Sequence, residues 1–145
     1  MEIIEGIERV KDFRVLIVDD EPDFLETMVN RLKRRKIDAE GVDSGRKAIE
    51  LLDTQHFDVV ILDFRMPGMD GMETLREIKK RRRLIEVIML TGHASVESGM
   101  QGMELGAFDY VMKPAEIDDI LEKIHQAYER KSFHEEKIRQ SEIFK

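Results

Sequence analysis

Val59–Gly71 reads VVILDFRMPGMDG. Four apolar residues, Val59, Val60, Ile61 and Leu62, run without interruption into a single carboxylate, Asp63, and a Pro67-Gly68 turn follows. A short, mostly β-branched run of this kind marks a strand buried on both faces. Asp70, with Glu73 three residues on, has the form of a capping box, so a helix starts there and the aspartate serves its first free N–H groups. Asp63 is thereby placed where a buried parallel strand ends and its loop begins. That is the edge at which open α/β sheets bind ligands.

Working outward, the same pattern repeats. Val15–Val18 (VLIV) is a buried strand that stops at Asp19-Asp20-Glu21. Pro22 suits the first position of a helix, whose apolar stripe is Phe24, Leu25, Met28, Val29 and Leu32. Its end is the basic run Lys33–Lys36, set against the negative end of the helix dipole. Ala39–Val42, interrupted by Glu40 and Gly41, reads as an edge strand. Ser44 caps a second helix carrying Ala48, Ile49, Leu51 and Leu52. The third helix shows Met72, Leu75 and Ile78 on one face and closes in Lys79–Arg83, read as solvated partners of the dipole.

Val87–Leu90 (VIML) is the fourth strand and ends at Thr91-Gly92. A helix over about Val96–Leu105 contains Gly99 and Gly102, each costing ~1 kcal/mol relative to alanine. Tyr110–Met112 is the fifth strand, ending at Lys113-Pro114. The last helix uses Ile117, Ile120, Leu121, Ile124 and Tyr128 before it turns mostly charged. This alternation predicts an α/β fold, a doubly wound five-stranded parallel sheet with helices on both faces. Right-handed crossovers and the weak second strand favour the order 2-1-3-4-5, the flavodoxin-like arrangement. One domain is expected over residues 14–128. Residues 1–13 form an N-terminal extension whose Ile3, Ile4, Ile7 and Val10 fit either a short amphipathic helix or a frayed segment. Residues 129–145 form a helical C-terminal extension or linker, too short for a DNA-binding or catalytic output domain.

Composition narrows the function. A chain of 145 residues with 41% apolar and 38% charged residues suits a soluble globular domain. The net charge of −7 argues against binding nucleic acid directly. With no cysteine there is neither a disulfide nor a thiolate metal site. No apolar stretch approaches the ~20 residues of a membrane span and no signal-peptide pattern opens the chain, so a cytoplasmic location and no membrane partner are expected.

Each of the four stronger strands stops at a polar group on one sheet edge: Asp19 and Asp20, Asp63, Thr91, Lys113. With strands one and three adjacent, the three aspartates converge. A like-charge pair at ~4 Å costs about 4 kcal/mol at an effective dielectric of ~20. Protonation or a hard divalent cation relieves it, and Mg²⁺ fits because it takes one or two carboxylates together with waters and phosphate oxygens. Three carboxylates and one lysine leave −2, which Mg²⁺ neutralises so that a phosphoryl donor can enter. Carboxylates do accept phosphoryl groups, and such transfer rests on positioning and charge stabilisation.

From about Arg14 to Tyr128 the chain resembles the receiver domains of two-component response regulators. The marks are Asp19-Asp20, Asp63-x-x-Met66-Pro67-x-x-Asp70-Gly71, Thr91-Gly92 and Tyr110-x-x-Lys113-Pro114. Each is weak alone; together, in order and at these strand ends, they are specific. The resemblance implies that Asp63 is the phosphoacceptor and that Asp20 ligates Mg²⁺, with Asp19 close by, often through water. It further implies a ligand in the backbone carbonyl of Arg65, Thr91 and Lys113 as contacts to the phosphoryl group, and Tyr110 as an aromatic switch that turns inward with Thr91. The Lys113–Pro114 bond would be cis. Arg65 and His93 depart from the commonest pattern at two places that tune phosphoryl lifetime.

The partner implied is a sensor histidine kinase or phosphotransfer protein, and the response is a shift of the helix-four, strand-five, helix-five face, which could also form a homodimer. Activity is limited to slow self-catalysed phosphotransfer and autodephosphorylation. Two alternatives stay open: a module of a longer multidomain regulator, and a phosphorylation-independent scaffold. A phosphohydrolase of the haloacid-dehalogenase class is disfavoured, since its Asp-x-Asp after strand one is not matched by Asp19-Asp20-Glu21. Taken singly, the same residues have ordinary readings: Asp19-Asp20 as a helix cap, Thr91 as a turn hydroxyl, Lys113 as a surface lysine, Tyr110 as a half-buried strand aromatic. The methionines read as packing, and His56, His93, His125 and His134 lack metal-ligand spacing.

Overall fold

The computed structural model describes residues 13–64, 71–92 and 96–143, with backbone alone at 96–98. The elements are β1 (Arg14–Val18), α1 (Pro22–Arg34), β2 (Asp38–Val42), α2 (Gly45–Thr54), β3 (Val59–Asp63), α3 (Gly71–Arg81), β4 (Glu86–Thr91), α4 (Val96–Glu104), β5 (Asp109–Met112) and α5 (Ile117–Ile143). All strand pairs are parallel and the order is β2-β1-β3-β4-β5, as the sequence pattern predicts. The expected N-terminal helix, the Asp70 cap, Arg65 and His93 lie outside the described residues.

The pleat explains the uninterrupted apolar runs. Val15, Ile17, Val59, Ile61, Ile88 and Leu90 face one side of the sheet and pack against α1 and α5. Their neighbours Leu16, Val18, Val60, Leu62, Val87 and Met89 face the other, against Ala48, Ile49 and Leu52 of α2 and Leu75 and Ile78 of α3. Because successive side chains alternate faces, a strand covered on both sides has no polar position to spare. Full burial of each such side chain contributes about 1.5–3 kcal/mol.

Local signals explain the element ends. Ser44 Oγ accepts the Lys47 N–H at 3.2 Å and caps α2. At α1, Pro22 sits at the start without a side-chain cap from Glu21; instead Asp19 Oδ1 accepts the Glu21 N–H at 2.9 Å. Gly71 opens α3 for a packing reason: a Cβ there would lie 2.4 Å from the Phe64 Cα, one residue past Asp63. Gly102, read from sequence as a weak point in α4, is buried and leaves room for the Met89 side chain. Met72, expected on the inner face of α3, is only half-buried, and Thr74 takes a buried place instead.

The basic run Lys79–Arg83 is more than a solvated dipole partner. Lys79 Nζ donates to the carbonyls of Arg83 and Ile85 at 2.8 Å each, and Arg82 donates to the Leu52 carbonyl at 2.8 Å. Together with the Arg81–Asp53 pair at 3.0 Å, these bonds fix the turn into β4 and tie α3 to α2.

Consecutive residues of α5 grip the strand starts at this end of the sheet. Lys131, 3% exposed, pairs with Asp58 at 3.0 Å and with Glu135 at 2.7 Å, while the other Asp58 oxygen accepts the Arg14 N–H. Arg130 makes a bidentate bond to Glu86, the first residue of β4. Burial lowers the pKa of Lys131, but its bonds to Glu135 and Asp58 outweigh this and hold it above the ordinary 10.5.

Removing one member of a buried pair costs about 3–5 kcal/mol, because the partner charge stays buried. Lys131→Met is therefore expected to lower stability by that order in urea unfolding, and Asp58→Asn in the same chain to restore part of it. Since the folded pKa is raised, the contribution is complete below pH 10.5 and is lost only as pH climbs through the higher folded value. Wild-type stability should thus fall above pH 10.5 more steeply than that of Lys131→Met.

Candidate functional site

Register alone brings the carboxylates together. Val18 pairs with Leu62, so the chain reaches Asp19 beyond β1 at the level where β3 ends in Asp63. One oxygen from each of Asp19, Asp20 and Asp63 lies within 4.8 Å of the others. Asp19 and Asp63 are buried, at 0% and 4% exposure, while Asp20 is partly open to solvent. Among the described residues the cluster is open to solvent on the Asp20 side.

Lys113 comes from the far side of the sheet. Its backbone N–H donates to the Thr91 carbonyl at 2.8 Å, which continues the β4–β5 pairing past Met112. Its ammonium bonds Asp19 Oδ2 at 2.8 Å and stands 4.0 Å from Asp63 and 3.8 Å from Glu21. Burial pulls its pKa down, but the bond to Asp19 and the charges of Asp19, Asp63 and Glu21 outweigh it and raise it above the ordinary value. The peptide bond to Pro114 is cis.

Both Asp19 oxygens accept bonds from the protein, one from the Glu21 N–H and the other from Lys113. Asp20 is the most solvent-open of the three clustered carboxylates. Hard oxygen donors at this separation, open on one side, fit Mg²⁺.

The remaining expected residues divide. Thr91 is buried at the end of β4, next in the sheet to the Asp63 strand. Tyr110 is 42% exposed, and its ring lies 3.4 Å from where a Gly99 Cβ would stand, so it faces α4 and solvent.

One site contact was not read from the sequence. The Lys113 ammonium sits over the Phe24 ring, 4.3 Å from its centroid. Phe24 belongs to the apolar stripe of α1 and is indistinguishable there from a core residue; only the fold shows that the first turn of α1 lies under the end of β5.

A family model of the response regulator receiver domain matches residues 15–125. Regulatory protein AtoC of Escherichia coli (strain K12) is 34% identical over 123 residues, 85% of this chain and 27% of that protein. The DNA-binding transcriptional regulator NtrC of Klebsiella pneumoniae is 33% identical over 111 residues, 77% of this chain and 24% of that protein. The chain spans about a quarter of the length of these two curated relatives. Among solved structures, a CheY-like receiver domain protein from Methanospirillum hungatei matches with a TM-score of 0.81 and 30% identity, covering 84% of this chain and 98% of that one. Sheet order, the strand-end residues and these likenesses agree, and the chain belongs to the family of response regulator receiver domains.

Proposed function

We propose that the chain is a phosphorylation-controlled switch in which Asp63 accepts a phosphoryl group from a histidine kinase or phosphotransfer protein. The observation that carries this reading is the closeness of Asp63 to two further carboxylates and to the Lys113 ammonium. A carboxylate oxygen of Asp63 attacks phosphorus; the bond from phosphorus to the donor nitrogen or oxygen breaks, and the leaving group keeps the electron pair. Asp20 and Asp63 would hold Mg²⁺, with the Arg65 carbonyl as the further ligand that the family resemblance implies and Asp19 in support, and the ion would supply charge neutralisation for the incoming group.

Lys113 is held charged and 4.0 Å from Asp63, within reach of a phosphoryl oxygen once its bond to Asp19 yields. Thr91 donates its hydroxyl to another, and the pull is read by Tyr110, which leaves the α4 side and turns inward. The face formed by α4, β5 and α5 would then contact a partner or a second copy. Arg65 and His93 set how long the phosphoryl group persists. Residues 14–128 carry the switch chemistry, and the last helix runs on to Ile143 as an extension whose Arg130 and Lys131 still brace the strand starts.

The chain covers 27% of AtoC and 24% of NtrC, and this favours a module that acts on an output domain elsewhere in a longer regulator.

Acetyl phosphate with Mg²⁺ should add the mass of one phosphoryl group to the intact protein. Asp63→Asn, or excess chelator, should abolish the adduct; an adduct that persists in Asp63→Asn would overturn the assignment. Phe24 is proposed as a positioning residue for Lys113. A cation–π contact at a partly desolvated site contributes about 0.5–2 kcal/mol. Phe24→Leu should therefore slow adduct formation about two- to thirtyfold at similar thermal stability, and Phe24→Tyr should restore the rate.

A further inference from the structure

The end of the sheet opposite the acidic cluster carries a cleft of about 480 Å³ between the end of α3, the turn into β4 and α5. Lys79, Arg83, Arg130 and Lys137 line it, against one carboxylate, Glu86. Four positive charges less one leave +3, in a chain whose net charge is −7. The two sites thus have opposite polarity.

Much of that positive charge has no internal partner. Both Glu86 oxygens are taken by Nε and Nη2 of Arg130, and Lys79 is held by the Arg83 and Ile85 carbonyls with Glu86 at 3.8 Å. Arg83 and Lys137 make no ion pair among the described residues; the Lys137 ammonium lies 5.0 Å from the Phe133 ring centroid. Burial above all, joined by the like charges of Arg130 and Arg83, outweighs the opposite charge of Glu86 and holds Lys79 below its ordinary pKa. Leu84 and Ile138 give the same cleft an apolar wall.

Size and chemistry select the occupant. The volume falls in the range of small-ligand pockets, well beyond what one inorganic phosphate fills. With the Arg130 fork held by Glu86, the Arg83 guanidinium is the one that can match phosphate oxygens in pairs, Lys137 adds a point charge, and the apolar wall suits a ring. Nucleic acid would require a basic surface extending well beyond one cleft, which a chain of net charge −7 does not offer. We propose that this cleft binds an organic phosphate of mononucleotide size.

Calorimetric titration of the whole chain with AMP, ADP and GDP at physiological salt tests the site, with adenosine and inorganic phosphate as comparison probes. At least one nucleotide should bind saturably, about tenfold or more tighter than inorganic phosphate, while adenosine should not bind. Arg83→Ala with Lys137→Ala, both on exposed side chains, should weaken binding about tenfold or more; Lys33→Ala with Arg34→Ala at the end of α1 should not. Absence of saturable binding by all three nucleotides overturns the proposal. So does inorganic phosphate binding as tightly as the nucleotides, or nucleotide binding unchanged in the Arg83/Lys137 variant.

Discussion

Repulsion among three carboxylates fixed at the ends of two neighbouring strands is the constraint on which the site depends. The pairing of β1 with β3 sets Asp19 and Asp63 side by side, and both are buried, so neither can swing away into solvent. Lys113 relieves part of the strain from across the sheet by bonding Asp19 at 2.8 Å. The relief is unequal, since the ammonium stands 4.0 Å from Asp63. What remains is a negative, one-sided cup that favours a divalent cation and, once neutralised, a phosphoryl group.

The rest of the fold keeps that cup rigid. Every β1, β3 and β4 side chain between the ends contributes to one of two apolar layers, so a strand cannot slide without moving a core residue to the wrong face. At the opposite end, α5 pins the starts of β3 and β4 through Lys131–Asp58 and Arg130–Glu86. The strands bearing Asp63 and Thr91 are therefore held at their starts, whereas Tyr110 is among the exposed large side chains.

The sequence made the chassis and most of the cup legible because both are local in origin. Runs such as VVILD and VIMLT carry strand, burial and terminal polar group in one stretch, and Ser44 announces its helix within four residues. Contacts that depend on two distant elements meeting stayed hidden. Phe24 under Lys113 looks like any residue of an apolar stripe, and Lys131 looks like any charge in a charged helix. Asp58, Glu86 and Lys79 likewise gain their roles only when the end of α5 and the strand starts are assembled, so in the sequence alone the basic run Lys79–Arg83 looks solvent-facing. Gly102 looked like a defect in a helix; the bulk of Met89, on another strand, makes it a fit.

Asp20 is expected to add repulsion in the absence of metal and binding in its presence. Thermal unfolding of wild type and Asp20→Asn, each across a Mg²⁺ titration, measures both effects at once. Asp20→Asn is expected to be the more stable protein without metal, and Mg²⁺ is expected to raise the midpoint of wild type with the logarithm of its concentration above the dissociation constant while leaving the variant nearly unmoved. A variant that is less stable without metal, or that keeps the full Mg²⁺ response, would contradict that expectation.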